Sequence, residues 1–314
     1  MDDKLTISYY QLSHLVPTAE KARQYLERKR WDETGRLCPH CSHAHSVARG
    51  GERTGYYRCC KCKAEFTVRT GSVFERSHIP LDKWILAIYL MVTARKGISS
   101  LQISKELSIR QKSAWFMMHR IRAAMGTREG EMLRGIIEVD ETYVGGKETN
   151  KHECDKLNAG RGCVGKTTLV GILERGGRVI PRVVRDTRRP TLEKLIDSVV
   201  EPGAVVNTDD HGSYQGLSAK YEHRVVRHSA KQFVDGMAHT NSIESAWALL
   251  KRGFYGTFHK FTLEHLQKYA DEFAFRLSEA SCKVPTLERM DNLLGRVWGR
   301  RLDYKSLIGV ELSG

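Results

Sequence analysis

Two pairs of cysteines, each separated by two residues, restrict the fold of this chain more than any other feature of its sequence. Cys38 and Cys41 form the first pair, Cys59 and Cys62 form the second, and 17 residues lie between the pairs. Two intervening residues allow one tight turn to direct both sulfurs at a single ion, and two such turns complete a tetrahedron. We therefore predict a structural Zn²⁺ site, because four protein ligands leave no open position for catalysis.

The residues around these cysteines predict a small β-ribbon. Strand patterns at 46–48, 56–58 and 65–68 indicate a hairpin followed by a third strand. Cys60 is an alternative ligand to Cys59, although only Cys59 keeps the two-residue spacing of the second pair. A ribbon of this size buries little core, so metal binding would supply much of its folding free energy.

A helix-turn-helix pattern follows the ribbon. Apolar residues recur at helical spacing over 81–92, and Ser-x-x-Gln capping boxes begin at Ser99 and Ser108. They predict a short helix over 100–107 and a longer one from about 109 to 125. The start of the last helix of this motif enters the major groove of DNA, although an ordinary three-helix packing unit would show the same pattern. The residues expected to contact base edges and phosphates are Arg110, Gln111 and Lys112.

Positive charge is concentrated in the same half of the chain. Residues 1–135 carry 24 Lys and Arg against 13 Asp and Glu, whereas residues 136–314 carry 27 against 24. Such an imbalance favours DNA as the partner of the first half. No apolar run approaches the roughly 18 residues of a membrane span, and the N-terminus lacks the apolar region of a signal peptide. We therefore expect a cytoplasmic protein with no membrane partner.

The second half of the chain predicts an α/β domain. Its order of β-β-β-α-β-α fits a ribonuclease H-like mixed sheet with flanking helices, in which the first and fourth strands are parallel neighbours. The predicted elements are strands over 135–144, 167–173, 179–184 and 204–209 and helices over 191–200 and 241–254.

Three acids of this predicted domain are expected to converge on one site. Asp140 lies in the first strand, Asp209 ends the fourth strand, and Glu244 lies in the last helix. Converging carboxylates repel one another unless cations lie between them, and oxygen ligands suit Mg²⁺ or Mn²⁺. Two such ions activate the attacking oxygen and stabilise the leaving oxygen of a phosphodiester. The nearest rival acids are Glu138, Glu141 and Asp210.

One loop of this half carries a formal phosphate-loop pattern. Gly160 and the run Gly165-Lys166-Thr167 match it, but they precede a predicted strand where a phosphate loop requires a helix. We therefore expect no nucleotide cofactor. Cys154 and Cys163 lie in the same basic loop, and a mobile DNA-facing loop and a second metal site are the alternatives for them.

These residues together resemble a known family, the bacterial insertion-sequence transposases with an N-terminal zinc ribbon and an ISXO-like DDE catalytic domain. The resemblance covers roughly residues 36–280. It rests on the segments YRCCKCKAEFTVRTGSVFERSHIPLDKW, KGISSLQISKELSIRQKSAWFMMHRIRAAM, VDETYVGGK, GRGCVGKTTLVG, NTDDHGSY and HTNSIESAWALLKRGFYGTFHKF.

The resemblance implies metal-dependent DNA cleavage and joining by Asp140, Asp209 and Glu244. It also implies that Lys251 meets DNA near the active site, and we expect the same of Arg252. Relatives supply either Asn or Glu as the third metal ligand, and this chain has both Asn241 and Glu244. We favour Glu244, because it is ionisable and lies seven residues before Lys251. Because two ends are joined, we expect at least a homodimer on the DNA.

The same reading divides the chain into segments and leaves two rival functions open. A DNA-binding regulator with a relic core and a nuclease that cuts without joining are the rivals. The predicted segments are an N-terminal helical segment at 1–35, the zinc ribbon at 36–75, the helix-turn-helix domain at 78–130, the catalytic domain at 135–280 and a helical tail at 281–314.

Overall fold

A computed structural model describes most of the 314 residues. The described residues are 6–31, 35–128, 130–145, 152, 165–226, 239–258 and 262–308. The chain divides into two compact units, one of Met1–Met125 with Ala280–Gly314 and one of Gly126–Glu279. The three predicted N-terminal segments and the tail thus fall in one unit, and the predicted catalytic domain corresponds to the other. Cys154 and Cys163 lie outside the described residues.

The first unit begins with two helices and the ribbon. Helix α1 spans Tyr9–Leu15 and α2 spans Ala19–Trp31. The ribbon is an antiparallel sheet of β1 (Ser46–Ala48), β2 (Tyr57–Cys59) and β3 (Glu65–Phe66) in that order. The Trp31 ring of α2 packs edge-on against the ring of Tyr57 at 5.3 Å. Helix α2, which the sequence analysis assigned to a separate segment, therefore supplies the small core of the ribbon.

Three helices then form the predicted helix-turn-helix. They are α3 (Leu81–Thr93), α4 (Ser100–Glu106) and α5 (Gln111–Met125). The Ser99 side chain caps α4 by accepting the N–H of Gln102 at 3.1 Å. The second predicted capping box is wrong, because Ser108 has a φ of 49°. A residue in this left-handed conformation ends α4 instead of starting α5.

The second unit is built on a five-stranded mixed sheet. Strands β4 (Ile136–Val144), β5 (Thr167–Glu174), β6 (Val179–Val184), β7 (Val205–Asp209) and β8 (Glu222–Val226) have the order β6-β5-β4-β7-β8. Strand β4 is parallel to β7 and β7 to β8, whereas β4 to β6 are antiparallel. The first and fourth strands of the domain are thus parallel neighbours, as predicted for a ribonuclease H-like core.

Helices cover both faces of this sheet. Helix α6 (Arg189–Asp197) packs through Leu192 and Ile196 onto the face that carries Val139. Helices α7 (Asn241–Gly253) and α8 (Leu263–Ser278) pack onto the face that carries Val144. A π-helical turn, Phe254–Phe258, continues α7.

The C-terminal segment belongs to the first unit. The predicted single tail helix is two helices, α9 (Thr286–Leu294) and α10 (Tyr304–Leu307). Between them, the N–H of Val73 donates to the carbonyl of Val297 at 3.1 Å, and the rings of Phe74 and Trp298 pack at 5.8 Å. The tail is therefore part of the core that holds the ribbon and α3. Among the described residues, none of the helices has the length and apolar character needed to cross a membrane.

Candidate active site and metal cluster

The four predicted zinc ligands meet at one point of the ribbon. The Sγ atoms of Cys38 and Cys62 lie 3.7 Å apart, and those of Cys41 and Cys59 lie 3.6 Å apart. All four sulfurs lie within 4.8 Å of one another. A tetrahedron with Zn–S bonds of about 2.3 Å has edges of about 3.8 Å. The arrangement therefore has the size of a Cys₄ zinc site.

Backbone geometry explains why these sulfurs converge. The residue after each cysteine pair, Ser42 or Lys63, has a positive φ, of 56° and 60° respectively. This conformation closes the two turns in the same way, and the N–H of Lys61 donates to the Sγ of Cys59 at 3.3 Å. Cys60 is exposed and lies outside the cluster. The second pair is therefore Cys59 and Cys62, as the spacing predicts.

The register of two parallel strands aligns the first two acids. Glu138 in β4 is paired with Asn207 in β7, a separation of 69 positions that also separates Asp140 from Asp209. Two residues further along each strand, these two acids therefore occupy matching positions on the same face of the sheet. Both side chains are half-buried. The chain thus brings Asp140 and Asp209 together through sheet register, as the sequence predicts.

The electrostatics of Asp140 reflect this crowding. Burial raises the pKa of Asp140 to about 7, and the carboxylates of Glu141, Asp209 and Glu244 contribute to the increase. Like charges that gather in a partly buried place disfavour ionisation. The structure therefore shows electrostatic interaction among all three predicted acids.

Glu141, a rival acid, lies on the opposite face of the strand from Asp140. Its side chain shares that face with Val139, which packs in the same core as Tyr214. Burial raises the pKa of Glu141 as well, and burial together with the charge of Glu141 raises the pKa of the Tyr214 hydroxyl. Glu141 is therefore directed away from the face that α7 covers.

Glu244 lies in the first turn of α7 on the exposed side of the helix. Asn241, one turn earlier, is exposed on the same side, and so are the two predicted DNA-contacting residues Lys251 and Arg252. The hydroxyl of Thr240 donates to Glu244 Oε1 at 3.3 Å. One helix stripe therefore carries both candidates for the third metal ligand and the two basic residues.

Glu138, another rival, has a different environment from the three predicted acids. Its side chain has 0% exposure, and its oxygens accept hydrogen bonds from α7 and from Arg175. Asp210, the third rival, follows Asp209 and is exposed. No local pattern in the sequence indicates the role of Glu138, since its partners are 37 to 105 residues away.

The acids and the cysteines differ in how tightly they gather. Among the described residues, the four cysteines form the one group of three or more metal-binding side chains whose ligand atoms lie within 4.8 Å. Asp140, Asp209 and Glu244 form no such group, so their proximity rests on the sheet register and on their electrostatic effect on Asp140.

The three residues predicted to read DNA lie where the helix-turn-helix motif places them. Arg110 precedes the first residue of α5, and Gln111 and Lys112 open the helix. All three are exposed. The Nε2 of Gln111 donates to the hydroxyl of Ser100 at 2.8 Å, so this side chain is held between the two helices. Among the described residues, the side chains of Arg110 and Lys112 make no comparable hydrogen bond.

Comparison with known proteins identifies both parts of the chain. The ISXO2-like transposase domain matches residues 132–278, which include the whole five-stranded sheet. The transposase zinc-ribbon domain matches residues 17–65, which include α2 and the four cysteines. Together these two domains span more than half of the chain. The chain belongs to the ISXO2-like transposases.

One curated protein is similar to this transposase over most of its length, and one solved structure aligns with it at low similarity. An uncharacterised protein in transposable element ISH50 of Halobacterium salinarum is 29% identical over 247 residues, which are 74% of this chain and 82% of that protein. The crystal structure of the Mos1 strand transfer complex aligns over 68% of this chain and 75% of its own, with 11% identity and a TM-score of 0.29.

Proposed function

We propose that this transposase binds the ends of an insertion sequence and catalyses Mg²⁺-dependent strand cleavage and strand transfer into target DNA. The observation that carries the proposal is the shared register of Asp140 and Asp209 within the ISXO2-like transposase domain, with Glu244 on the helix beside them. We propose these three acids as the catalytic metal ligands, acting on DNA in the cytoplasm.

The residues at this site suit divalent cations. Burial raises the pKa of Asp140 to about 7, and the charges of Glu141, Asp209 and Glu244 add to the increase. A bound Mg²⁺ or Mn²⁺ would offset this repulsion. The buried amide of Asn207, two residues before Asp209, has no hydrogen-bond partner among the described residues. Carboxylate and amide oxygens are the hard ligands that Mg²⁺ prefers. Two bound ions would activate the attacking oxygen and stabilise the leaving oxygen.

The chain's own residues have separate tasks in this scheme. Asp140 and Asp209 on a rigid sheet fix two sides of the site, and Glu244 on α7 closes the third. Lys251 and Arg252, on the same helix stripe as Glu244, would hold the phosphate backbone beside it. Water then attacks the phosphodiester at the element end, and the released 3′-hydroxyl attacks the target strand. Neither step requires a covalent enzyme intermediate or a nucleotide cofactor.

The other unit would recognise the DNA. We propose that Cys38, Cys41, Cys59 and Cys62 hold one structural Zn²⁺ and that Arg110, Gln111 and Lys112 enter the major groove at the element ends. Because two element ends are joined, we propose a homodimer or higher oligomer on DNA. Arg110→Ala should weaken binding to an end fragment by about tenfold in a mobility-shift titration, a loss of about 1.4 kcal/mol that is typical of one base or phosphate contact.

A cleavage assay tests the proposal against its rivals. Labelled element-end DNA is incubated with Mg²⁺ and the wild-type protein, Asp140→Asn or Glu244→Gln. We expect cutting and joining by wild type alone. Equal cutting by both variants would refute the site. Binding without cutting by wild type would indicate a regulator, and cutting without joining would indicate a nuclease.

A further inference from the structure

The carboxylate of Glu138 joins the central strand to the first turn of α7. Its Oε2 accepts the backbone N–H of Ser242 at 2.9 Å and that of Ile243 at 3.1 Å, and its Oε1 accepts the Ser242 hydroxyl at 3.0 Å. The first N–H groups of a helix have no partner within the helix. The residue before α7, Thr240, provides no side-chain cap. A strand residue more than 100 positions away therefore caps this helix.

Arg175 also contacts the Glu138 carboxylate and balances the negative charge of this group. Its Nε donates to Glu138 Oε1 at 2.9 Å, and its Nη2 donates to the carbonyl of His239 at 3.1 Å. The guanidinium therefore links the buried carboxylate to the segment that enters α7. A buried carboxylate is stable when it is paired and hydrogen-bonded in this way, and the positive end of the helix dipole adds to its stabilisation.

Glu138 links the strand that carries Asp140 to the helix turn that carries Glu244. It precedes Asp140 by two residues on the same face of β4. The helix turn that it holds contains Glu244, which directly follows Ile243. Both oxygens of Glu138 already accept hydrogen bonds, so it has a structural task that differs from metal ligation.

We propose that Glu138 is a positioning residue, which fixes the first turn of α7 so that Glu244 completes the metal site with Asp140 and Asp209. This inference rests on the proposed function, because it takes these three acids as the ligands. Partners that orient metal ligands from outside the coordination sphere typically contribute 10- to 100-fold to metal affinity. Loss of the Glu138 charge should therefore weaken divalent-cation binding without removing a ligand.

Direct Mn²⁺ binding tests the inference without relying on catalysis. Free Mn²⁺ is measured by electron paramagnetic resonance during titration of the zinc-loaded full chain. We expect Glu138→Gln to bind Mn²⁺ about tenfold more weakly than wild type. Glu222→Gln is the matched control, because Glu222 is an exposed residue on strand β8 whose ion pair is with Arg224. It should bind Mn²⁺ like wild type.

The metal dependence of cleavage separates positioning from general loss of structure. The Mn²⁺ concentration for half-maximal cutting should rise by the same factor in Glu138→Gln, and saturating Mn²⁺ should restore the wild-type rate. If Glu138→Gln does not fold, Ser242→Ala replaces it, since this change removes one donor to Glu138 and leaves the helix backbone intact. It should show a smaller shift in the same direction.

The outcomes distinguish this inference from the proposed function. Wild type that binds Mn²⁺ but cuts no DNA would refute the transposition proposal, and weaker Mn²⁺ binding by Glu138→Gln would still support the positioning role. Equal Mn²⁺ binding by wild type and the folded variant, including no binding by either, would overturn the role of Glu138.

Discussion

The thiol cluster of the ribbon and the three acids of the core are two proposed ligand sets that are assembled in opposite ways. The four cysteines come from one continuous stretch, Cys38–Cys62, and two turns of the same geometry bring their sulfurs within 4.8 Å. The acids come from two strands and a helix that lie up to 104 positions apart in the sequence. Local backbone geometry builds the first set, whereas sheet register and helix packing build the second.

This difference has an electrostatic counterpart. An ordinary thiol is neutral at pH 7, and although burial is outweighed by hydrogen bonds that lower the pKa of Cys59 to about 6, four thiols carry less charge than a matching set of carboxylates. Carboxylates at neutral pH repel one another, and this repulsion adds to the effect of burial in raising the pKa of Asp140. Two local turns are therefore enough to bring the zinc ligands of the ribbon together. The proposed catalytic acids depend instead on the sheet and α7 to fix their positions and their spacing.

Removal of one thiol should have the largest effect. Cys38→Ser should abolish zinc binding, and because structural zinc sites contribute on the order of 10 kcal/mol to folding, the ribbon should lose its tertiary structure. Elemental analysis and near-ultraviolet circular dichroism check this. Cys60→Ser is the control and should keep one zinc per chain. Zinc loss in both variants would refute the assignment of Cys59, and weaker Mn²⁺ binding in Cys38→Ser would break the separation of the two sites.

The raised pKa of Asp140 should make the free energy of unfolding depend on pH. The pKa of Asp140 is raised to about 7 by burial and by neighbouring acids, whereas an unfolded Asp titrates near 3.9. Between about pH 4 and 7 the folded chain therefore holds a proton that the unfolded chain has lost, so stability should fall as pH rises through this window, by up to about 4 kcal/mol.

Chemical denaturation of the zinc-loaded protein at pH 5 and pH 8, without other divalent ions, measures this slope. Asp140→Asn removes the titrating group and should flatten it, and Mn²⁺ should raise the stability of wild type at pH 8. If the unfolding free energy of Asp140→Asn depends on pH as strongly as that of wild type, Asp140 is not the group with the raised pKa.

A smaller effect should follow from crowding where α7 crosses the sheet. Gly171 pairs with Asp140 across β4 and β5, and a Cβ added there would lie 2.4 Å from Trp247 Cζ2. Gly171→Ala should push α7 from the sheet and lower the free energy of unfolding by about 1–3 kcal/mol. Gly256→Ala is the control, since a Cβ there meets nothing within 4 Å. Equal stability of the two variants would contradict this packing.

Local signals in the sequence predicted much of this architecture. Cysteine spacing selected Cys59 over Cys60, and the apolar strand patterns located β4 to β7 within two residues. Thr167 begins a strand as expected, which is the wrong context for a phosphate loop. The separation of Asp140 from Asp209 predicts that the two acids lie close together only if their strands are parallel neighbours, as they are in the structure.

Three features that the sequence did not predict, strand β8, the conformation of Ser108 and the cap on α7, depend on contacts or chain geometry beyond the local pattern. The sequence of β8, Glu-His-Arg-Val-Val, has weak alternation because this strand lies at the sheet edge. Ser108 fits a capping box, but the return of the chain after α4 places it in a left-handed conformation. The cap on α7 comes from Glu138, and no local pattern links a strand acid to the N–H groups of a distant helix.

Asp209, which ends β7, and Asp210, which follows the strand, offer the most direct test of the central claim. That claim is that sheet register brings the proposed catalytic carboxylates together. Asp140 and Asp209 each lie two residues beyond the Glu138–Asn207 pair on the two parallel strands, whereas Asp210 is exposed. Cleavage of element-end DNA should be measured for Asp209→Asn and Asp210→Asn at saturating Mg²⁺. We predict a loss of about 1,000-fold for the first, since a metal ligand carries several kcal/mol of transition-state stabilisation, and a near-wild-type rate for the second. Equal rates for the two variants, or a greater loss in Asp210→Asn, would contradict the account.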